Sequence, residues 1–167
     1  MRSVKNTNWM STAYLLLGTN LGDRERNLEQ VRKELSALDP DAVFSGVYAT
    51  AAWGLTDQPD FLNQAACVST MLSPMDLLDF LQLIEKDLGR TRSGKWSART
   101  MDIDILYFDS LIMKDPRLEL PHPHLHTRRF ALTPLAEIAA DFEDPATGRS
   151  VQWHLEHCSD PLSAKRL

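Results

Sequence analysis

Two acids, Asp102 and Asp104, stand two residues apart in the otherwise apolar stretch MDIDILYF, just after a loop carrying Arg90, Arg92, Lys95 and Arg99. Alternate side chains of an extended strand share a face, so both carboxylates point one way while Met101, Ile103 and Ile105 point the other. With Cα atoms about 6.6 Å apart, the two charges repel by about 2 to 3 kcal/mol at an effective dielectric near 20. Solvent would accommodate such a pair. A divalent cation between them would turn the repulsion into attraction, and the neighbouring cations favour that use, because magnesium bridging carboxylates to a polyphosphate needs both kinds of group together. Arg99 has the opposite parity to Asp102 and joins the same cleft only if the chain is still loop at that point.

A second cluster is LPHPHLHTRRF. In extended backbone His122, His124 and His126 would align on one face, as a zinc site requires. Pro121 and Pro123 favour an irregular loop instead, in which a histidine donates to phosphate beside Arg128 and Arg129. Trp53, Phe61 and Phe130 are of a type usually found in cores, yet Trp53 lies within the long loop TAAWGLTDQPDF and Phe61 at its exit. Loops longer than a hairpin needs are more often functional than incidental. These residues together read as a small enzyme that binds a magnesium-complexed nucleoside polyphosphate on Asp102 and Asp104, with its acceptor unnamed. A metal-dependent phosphodiesterase using the acids with the histidines, and a non-catalytic binding module, stay open.

The elements that must position these groups follow from period and punctuation. Ala13–Leu17 is an apolar run ended by Gly18-Thr19-Asn20, a buried strand meeting a turn. After Gly22-Asp23, Leu28, Val31, Leu35 and Leu38 recur at helical spacing, and Asp39-Pro40 ends that helix. Strands are predicted over Val43–Tyr48 and Asn63–Thr70. Ser73-Pro74-Met75-Asp76 starts a second helix with a capping box, Leu77, Leu78, Leu81, Ile84 and Leu88 form its apolar stripe, and Gly89 serves as its C-cap. A strand over Met101–Phe108, a short apolar piece at Leu111–Met113, a short helix around Phe130–Ile138 and a polar tail complete the chain. Strand, helix, strand, strand, helix, strand is the split βαβ, ferredoxin-like order: an α+β fold with a mainly antiparallel sheet and both main helices on one face.

The totals bound the class. With 167 residues, the chain is long enough to bury roughly 70% of its unfolded surface in one domain, set here at 13–158 with terminal extensions at 1–12 and 159–167. A composition of 43% hydrophobic and 25% charged residues, with 9 Pro and 7 Gly, is that of a folded globular protein. The net charge of −5 argues against general nucleic-acid binding, so any anionic ligand needs a local cationic site. MRSVKNTNWMST contains no apolar signal core, and no stretch approaches the roughly 18 apolar residues of a membrane span. Cys67 and Cys158 have neither disulfide-framework nor metal-ligand spacing, and read as reduced thiols of a cytoplasmic protein.

Four segments, YLLLGTNLGDRERNLEQ, TAAWGLTDQPDFLNQA, the basic loop with KWSARTMDIDIL, and LELPHPHLHTRRFALTPLAEIA, span Ala13 to Ala140. In that order the chain resembles the 6-hydroxymethyl-7,8-dihydropterin pyrophosphokinases of folate biosynthesis. The resemblance implies transfer of the pyrophosphoryl group of ATP to a pterin alcohol, with AMP leaving and two magnesium ions on Asp102 and Asp104. It implies that Arg90, Arg92, Trp96 and Arg99 lie on a catalytic loop that closes over the nucleotide. ATP contacts are implied for Gln82, Glu85, Ile105, Arg117, His122 and Arg128. The pterin is expected between Phe61 and Phe130, with Asn63 reading its polar edge and Thr50 and the backbone near Trp53 completing the pocket. Members are commonly monomers. Five positions depart from the common pattern: Ser97 where Gly or Ala is usual, Ala51 and Ala52 for a Pro pair, Pro123 for an aromatic residue, and Arg129 where many members have Gly.

Overall fold

The computed structural model describes residues 9–51, 57–89 and 100–167. Strand β1 (Ser11–Thr19) leads into helix α1 (Arg24–Leu38), whose first turn is capped by the Asp23 carboxylate accepting from the Arg26 amide. Strands β2 (Val43–Phe44), β3 (Tyr48–Thr50) and β4 (Phe61–Thr70) precede helix α2 (Pro74–Asp87) and strand β5 (Asp102–Phe108). A small hairpin, β6 (Met113–Lys114) with β7 (Glu119–Leu120), and a 3-10 turn at Leu125–Thr127 follow. Helices α3 (Arg129–Ala139) and α4 (Val151–Glu156) and strand β8 (Lys165–Arg166) end the chain.

The main sheet runs β5-β1-β4-β3-β8 with antiparallel neighbours throughout, and β2 also pairs with β4. The first four strands of that order are the ferredoxin-like arrangement, each main helix crossing over an intervening strand. Ala13, Leu15 and Leu17 of β1 face α1 and α2, packing with Leu28, Val31, Leu35, Leu77, Leu81, Ile103 and Ile105 in one core. Leu16 faces the other way, into a second core of Leu106, Tyr107, Leu125, Leu132, Leu135 and Val151 beneath α3 and α4. Both main helices thus share one face as expected, and the shorter helices cover part of the other.

Three local features differ from the sequence reading. The predicted strand Val43–Tyr48 is broken, because Ser45 pairs with β4 through its hydroxyl, which accepts from the Ala65 amide at 2.9 Å. Gly46 turns away instead, its N–H donating to Glu137 Oε1 at 3.0 Å. A Cβ on Gly46 would stand 2.6 Å from the Arg166 guanidinium, which packs over this glycine at the edge where β8 pairs. The C-cap of α2 is Leu88, whose N–H donates to the Ile84 carbonyl at 3.1 Å, and Gly89 follows it with φ +80°. The tail, expected as a polar extension, returns to the sheet as β8, paired with Tyr48 and Ala49.

A β-bulge decides what the second face carries. Tyr14 pairs with Tyr107 but Leu15 with Ile105, leaving Leu106 as the extra residue. Asp102, Asp104 and Leu106 follow the alternation, and the bulge brings Tyr107 to the same face as well. Among the described residues, no helix is long and apolar enough to cross a membrane. Leu15 is fully buried between sheet and helices, so Leu15→Ala should lower stability by about 2 to 5 kcal/mol, seen as a lower urea midpoint at unchanged slope.

Candidate active site

On the second face of the sheet, beyond the end of the α3 layer, a cleft of about 810 Å³ remains. Strand register builds its floor: Leu16 lies opposite Asp104 and Gly18 opposite Asp102 on one side of β1, and Gly18 lies opposite Asn63 on the other. Asp102, Asp104, Thr50, Phe61, Asn63, His122, Arg128 and Phe130 all line this one cavity. Residues scattered over some 80 positions of sequence thereby meet on β3, β4 and β5, with β1 between the last two, on the loop before the 3-10 turn and at the start of α3.

Asn63 and Thr50 are buried, and the Asn63 Nδ2 donates to Thr50 Oγ1 at 2.9 Å, which fixes the amide's orientation. A Cβ on Gly18 would approach Asn63 Oδ1 to 3.1 Å and the Phe61 ring edge to 4.0 Å. Gly18 therefore keeps the floor open beneath the amide, a role hidden in sequence behind its service as a turn residue. Phe61 enters from the first position of β4 and Phe130 from the first turn of α3, where the Arg128 guanidinium stands 5.7 Å from its ring centre.

The segments leading into β4 and β5 are tied to the end of β1 and the start of α1. Asn20 Nδ2 donates to Gln58 Oε1 at 3.0 Å and to the Pro59 carbonyl at 3.3 Å, and Arg24 donates to the Asp60 carbonyl at 2.8 Å. Thr19 Oγ1 and Asn27 Nδ2 both donate to the Thr100 carbonyl. One turn thus anchors both the approach to Phe61 and the approach to Asp102.

His122 is held for donation. Its Nδ1 accepts the His124 amide at 3.2 Å, which assigns the proton of the neutral ring to Nε2. Burial, followed by the charges of Arg128 and His124, pushes its pKa down to about 4, against a smaller upward pull from Asp102.

The histidine run does not act together. His122 and His124 have ring centres 6.1 Å apart, while His126 turns away, its Nε2 donating to Asp144 Oδ2 at 2.6 Å. Among the described residues, His126, Asp144 and His154 have converging ligand atoms. The two rings, however, stack at 3.7 Å and 7°, so their nitrogen lone pairs run parallel rather than to a common point. Burial alone would raise the Asp144 carboxyl, but hydrogen bonds from Tyr107, the Ala146 amide and His126 outweigh it and hold the group below its usual range. This cluster is a hydrogen-bonded tie between β5, the 3-10 turn and the loop joining α3 to α4.

Other expected residues lie elsewhere. Ile105 is buried in the core under α1 and α2. Glu85 is buried and accepts the Ile103 amide at 2.7 Å, while Arg117 reaches Asp79 and Gln82 on the outer surface of α2. None of these four lines the cleft. Trp53, Arg90, Arg92, Lys95, Trp96 and Arg99 lie outside the described residues. Leu16, Thr127 and the tail segment Ser159–Pro161 line the cleft without having been foreseen, and Pro123 and His124 of the histidine run line it too. The tail gave no periodic or motif signal to find it by.

Residues 14–140 match the description of the 7,8-dihydro-6-hydroxymethylpterin-pyrophosphokinase (HPPK) family. The chain belongs to that family. It is 44% identical over 138 residues to the 2-amino-4-hydroxy-6-hydroxymethyldihydropteridine pyrophosphokinase of Bacillus subtilis, covering 81% of this chain and 82% of that protein. The Haemophilus influenzae protein of the same name is 41% identical, covering 81% of this chain and 86% of its own length. The fold matches a Plasmodium falciparum HPPK-DHPS with a TM-score of 0.71 at 14% identity, over 89% of this chain and 43% of that longer one.

In the unliganded protein, nitrogen-proton spectra of the imidazoles should show His122 as the Nε2–H tautomer at neutral pH, gaining a proton only near pH 4. Because that pKa is depressed, the stability from burying the neutral ring is complete above about pH 6.5 and is lost as pH falls toward the folded value. Protonation at an ordinary histidine pH would contradict the buried geometry.

Proposed function

We propose that this protein transfers the pyrophosphoryl group of ATP to the hydroxymethyl oxygen of 6-hydroxymethyl-7,8-dihydropterin, giving AMP and the pterin diphosphate for folate biosynthesis. One observation carries the reading within the family: a single cleft joins an acidic strand face, Asp102 and Asp104, to a pocket of two phenyl rings and one oriented amide, Phe61, Phe130 and Asn63. The first suits a metal-bound polyphosphate, and the second suits a flat heterocycle with a polar edge.

Asp102 and Asp104 are half-buried and offer hard oxygen ligands from one face, a donor set that fits magnesium. Two ions there would neutralise the phosphates and polarise the bond to be broken. His122 donates through Nε2–H to a phosphate oxygen, and Arg128 supplies a fixed positive charge from the next wall. Phe61 and Phe130 hold the pterin by its faces, while Asn63, steered by Thr50, fixes its rotation so that the hydroxymethyl oxygen approaches the β-phosphorus in line. Catalysis then rests on positioning and charge neutralisation. Arg90, Arg92 and Arg99 add positive charge, and Trp53 and Trp96 add pterin and nucleotide contacts, by family resemblance. Gln82, Glu85, Ile105 and Arg117 are assigned to ATP on the same ground. A monomer is assigned as the working unit by family resemblance. Cys67 and Cys158 are free thiols, which supports a cytoplasmic site of action.

Incubation with ATP, magnesium and the reduced pterin alcohol should release AMP in step with the pterin diphosphate; release of ADP or inorganic phosphate instead would overturn the reading. Asp104→Asn should lower turnover by at least about a hundredfold with an unchanged circular dichroism spectrum, and wild-type rates in that variant would remove the carboxylate pair from the mechanism.

A further inference from the structure

Helix α3 begins without a cap of its own: Arg128 stands at the N-cap position and makes no side-chain cap bond. The missing acceptor comes from the far end of the chain. Asp160 is buried, and its Oδ2 accepts the Arg129 amide at 3.1 Å while Oδ1 accepts the Leu162 amide at 3.0 Å. Arg129 reciprocates, donating from Nε to the Asp160 carbonyl at 3.0 Å and from Nη2 to the Cys158 carbonyl at 2.9 Å. The helix start and the tail therefore hold each other by three bonds, all between Arg129 and the segment Cys158–Asp160, while the Leu162 bond shapes the tail itself.

We infer that Asp160 and Arg129 are positioning residues for the pyrophosphoryl transfer, forming a reciprocal clasp that sets the first turn of α3 and lays Ser159–Pro161 along the cleft as a wall. A carboxylate at a helix N-terminus both satisfies an open amide and complements the positive end of the helix dipole. The turn so fixed carries Arg128 and Phe130, the cation and the ring on this side of the cavity, and the tail residues Ser159, Asp160 and Pro161 line the same space. Neither Asp160 nor Arg129 needs to touch substrate for this; each acts through its neighbours. The guanidinium also gives a physical reason for Arg129 at a position where glycine would serve the helix but leave the tail unheld.

The inference rests on the pyrophosphokinase reading, so its test has one arm that needs no turnover. In steady-state assays below the unfolding temperature, Asp160→Ala should raise KM for the pterin and for magnesium-ATP by about tenfold with kcat changed by less than about threefold. Asp160→Asn, which keeps an oxygen for the Arg129 amide, should recover most of that loss. In native-state hydrogen exchange, Asp160→Ala should speed the Arg129 amide while the second half of α3 keeps its protection. A clasp serving stability alone would lower the melting temperature and leave both KM values within about twofold of wild type, and that result would overturn the inference. Should Asp160→Ala fail to fold, Arg129→Ala, which keeps the capping amide, makes the same KM prediction. If the wild-type protein released no AMP, the functional reading would fall, and the exchange arm would still decide the clasp: unchanged exchange at Arg129 would refute it.

Discussion

The face of β5 that carries Asp102 and Asp104 cannot be closed over by apolar side chains along its whole length. Taking carboxylates out of water without partners costs several kcal/mol each, so the layer packed on that side of the sheet must stop short of them. Helix α3 and the short α4 cover Leu16, Leu106 and Tyr107, and beyond their edge the strand ends stay open. The cleft is thus what remains when a two-sided sheet is sealed on one face and only part of the other.

Everything that lines the cavity is then placed by how the sheet edge and the half-layer are held. The bulge at Leu106 puts Tyr107 on the site face, where its hydroxyl donates to the buried Asp144 at 2.7 Å. Asp144 in turn grips His126 of the 3-10 turn between His122 and Arg128. On the opposite edge, Glu137 of α3 accepts from the Gly46 amide and from the Tyr48 hydroxyl, tying the same helix to β3. Helix α3 is consequently fixed at its start by the tail, along its length by β3, and through Asp144 by β5. Its first turn presents Arg128 and Phe130 from a rigid support, as positioning catalysis requires.

Much of the site was readable before any coordinates. The parity of Asp102 and Asp104, the capping box at Ser73 and the helical stripe of α2 are local properties of a few neighbouring residues, and each is found where the pattern placed it. The aromatic pair and Asn63 were legible only through family resemblance, since a phenylalanine at a loop exit has no local mark of function. The break at Ser45 and Gly46 was only hinted at, by a glycine inside the strand pattern, and what diverts the chain there is Glu137, 91 positions away from Gly46.

The amino-acid sequence by itself determined the period of each main element, the shared face of the two acids and the need for something cationic beside them, because alternation, capping and charge act within one strand or one turn. Only the tertiary structure decided that His126 leaves its neighbours for Asp144, that Gly18 lies close beneath the Asn63 amide, and that the C-terminal segment caps α3 through Asp160. These depend on which distant backbone group comes within hydrogen-bond reach once two cores have packed. Chain neighbours alone do not specify that distance.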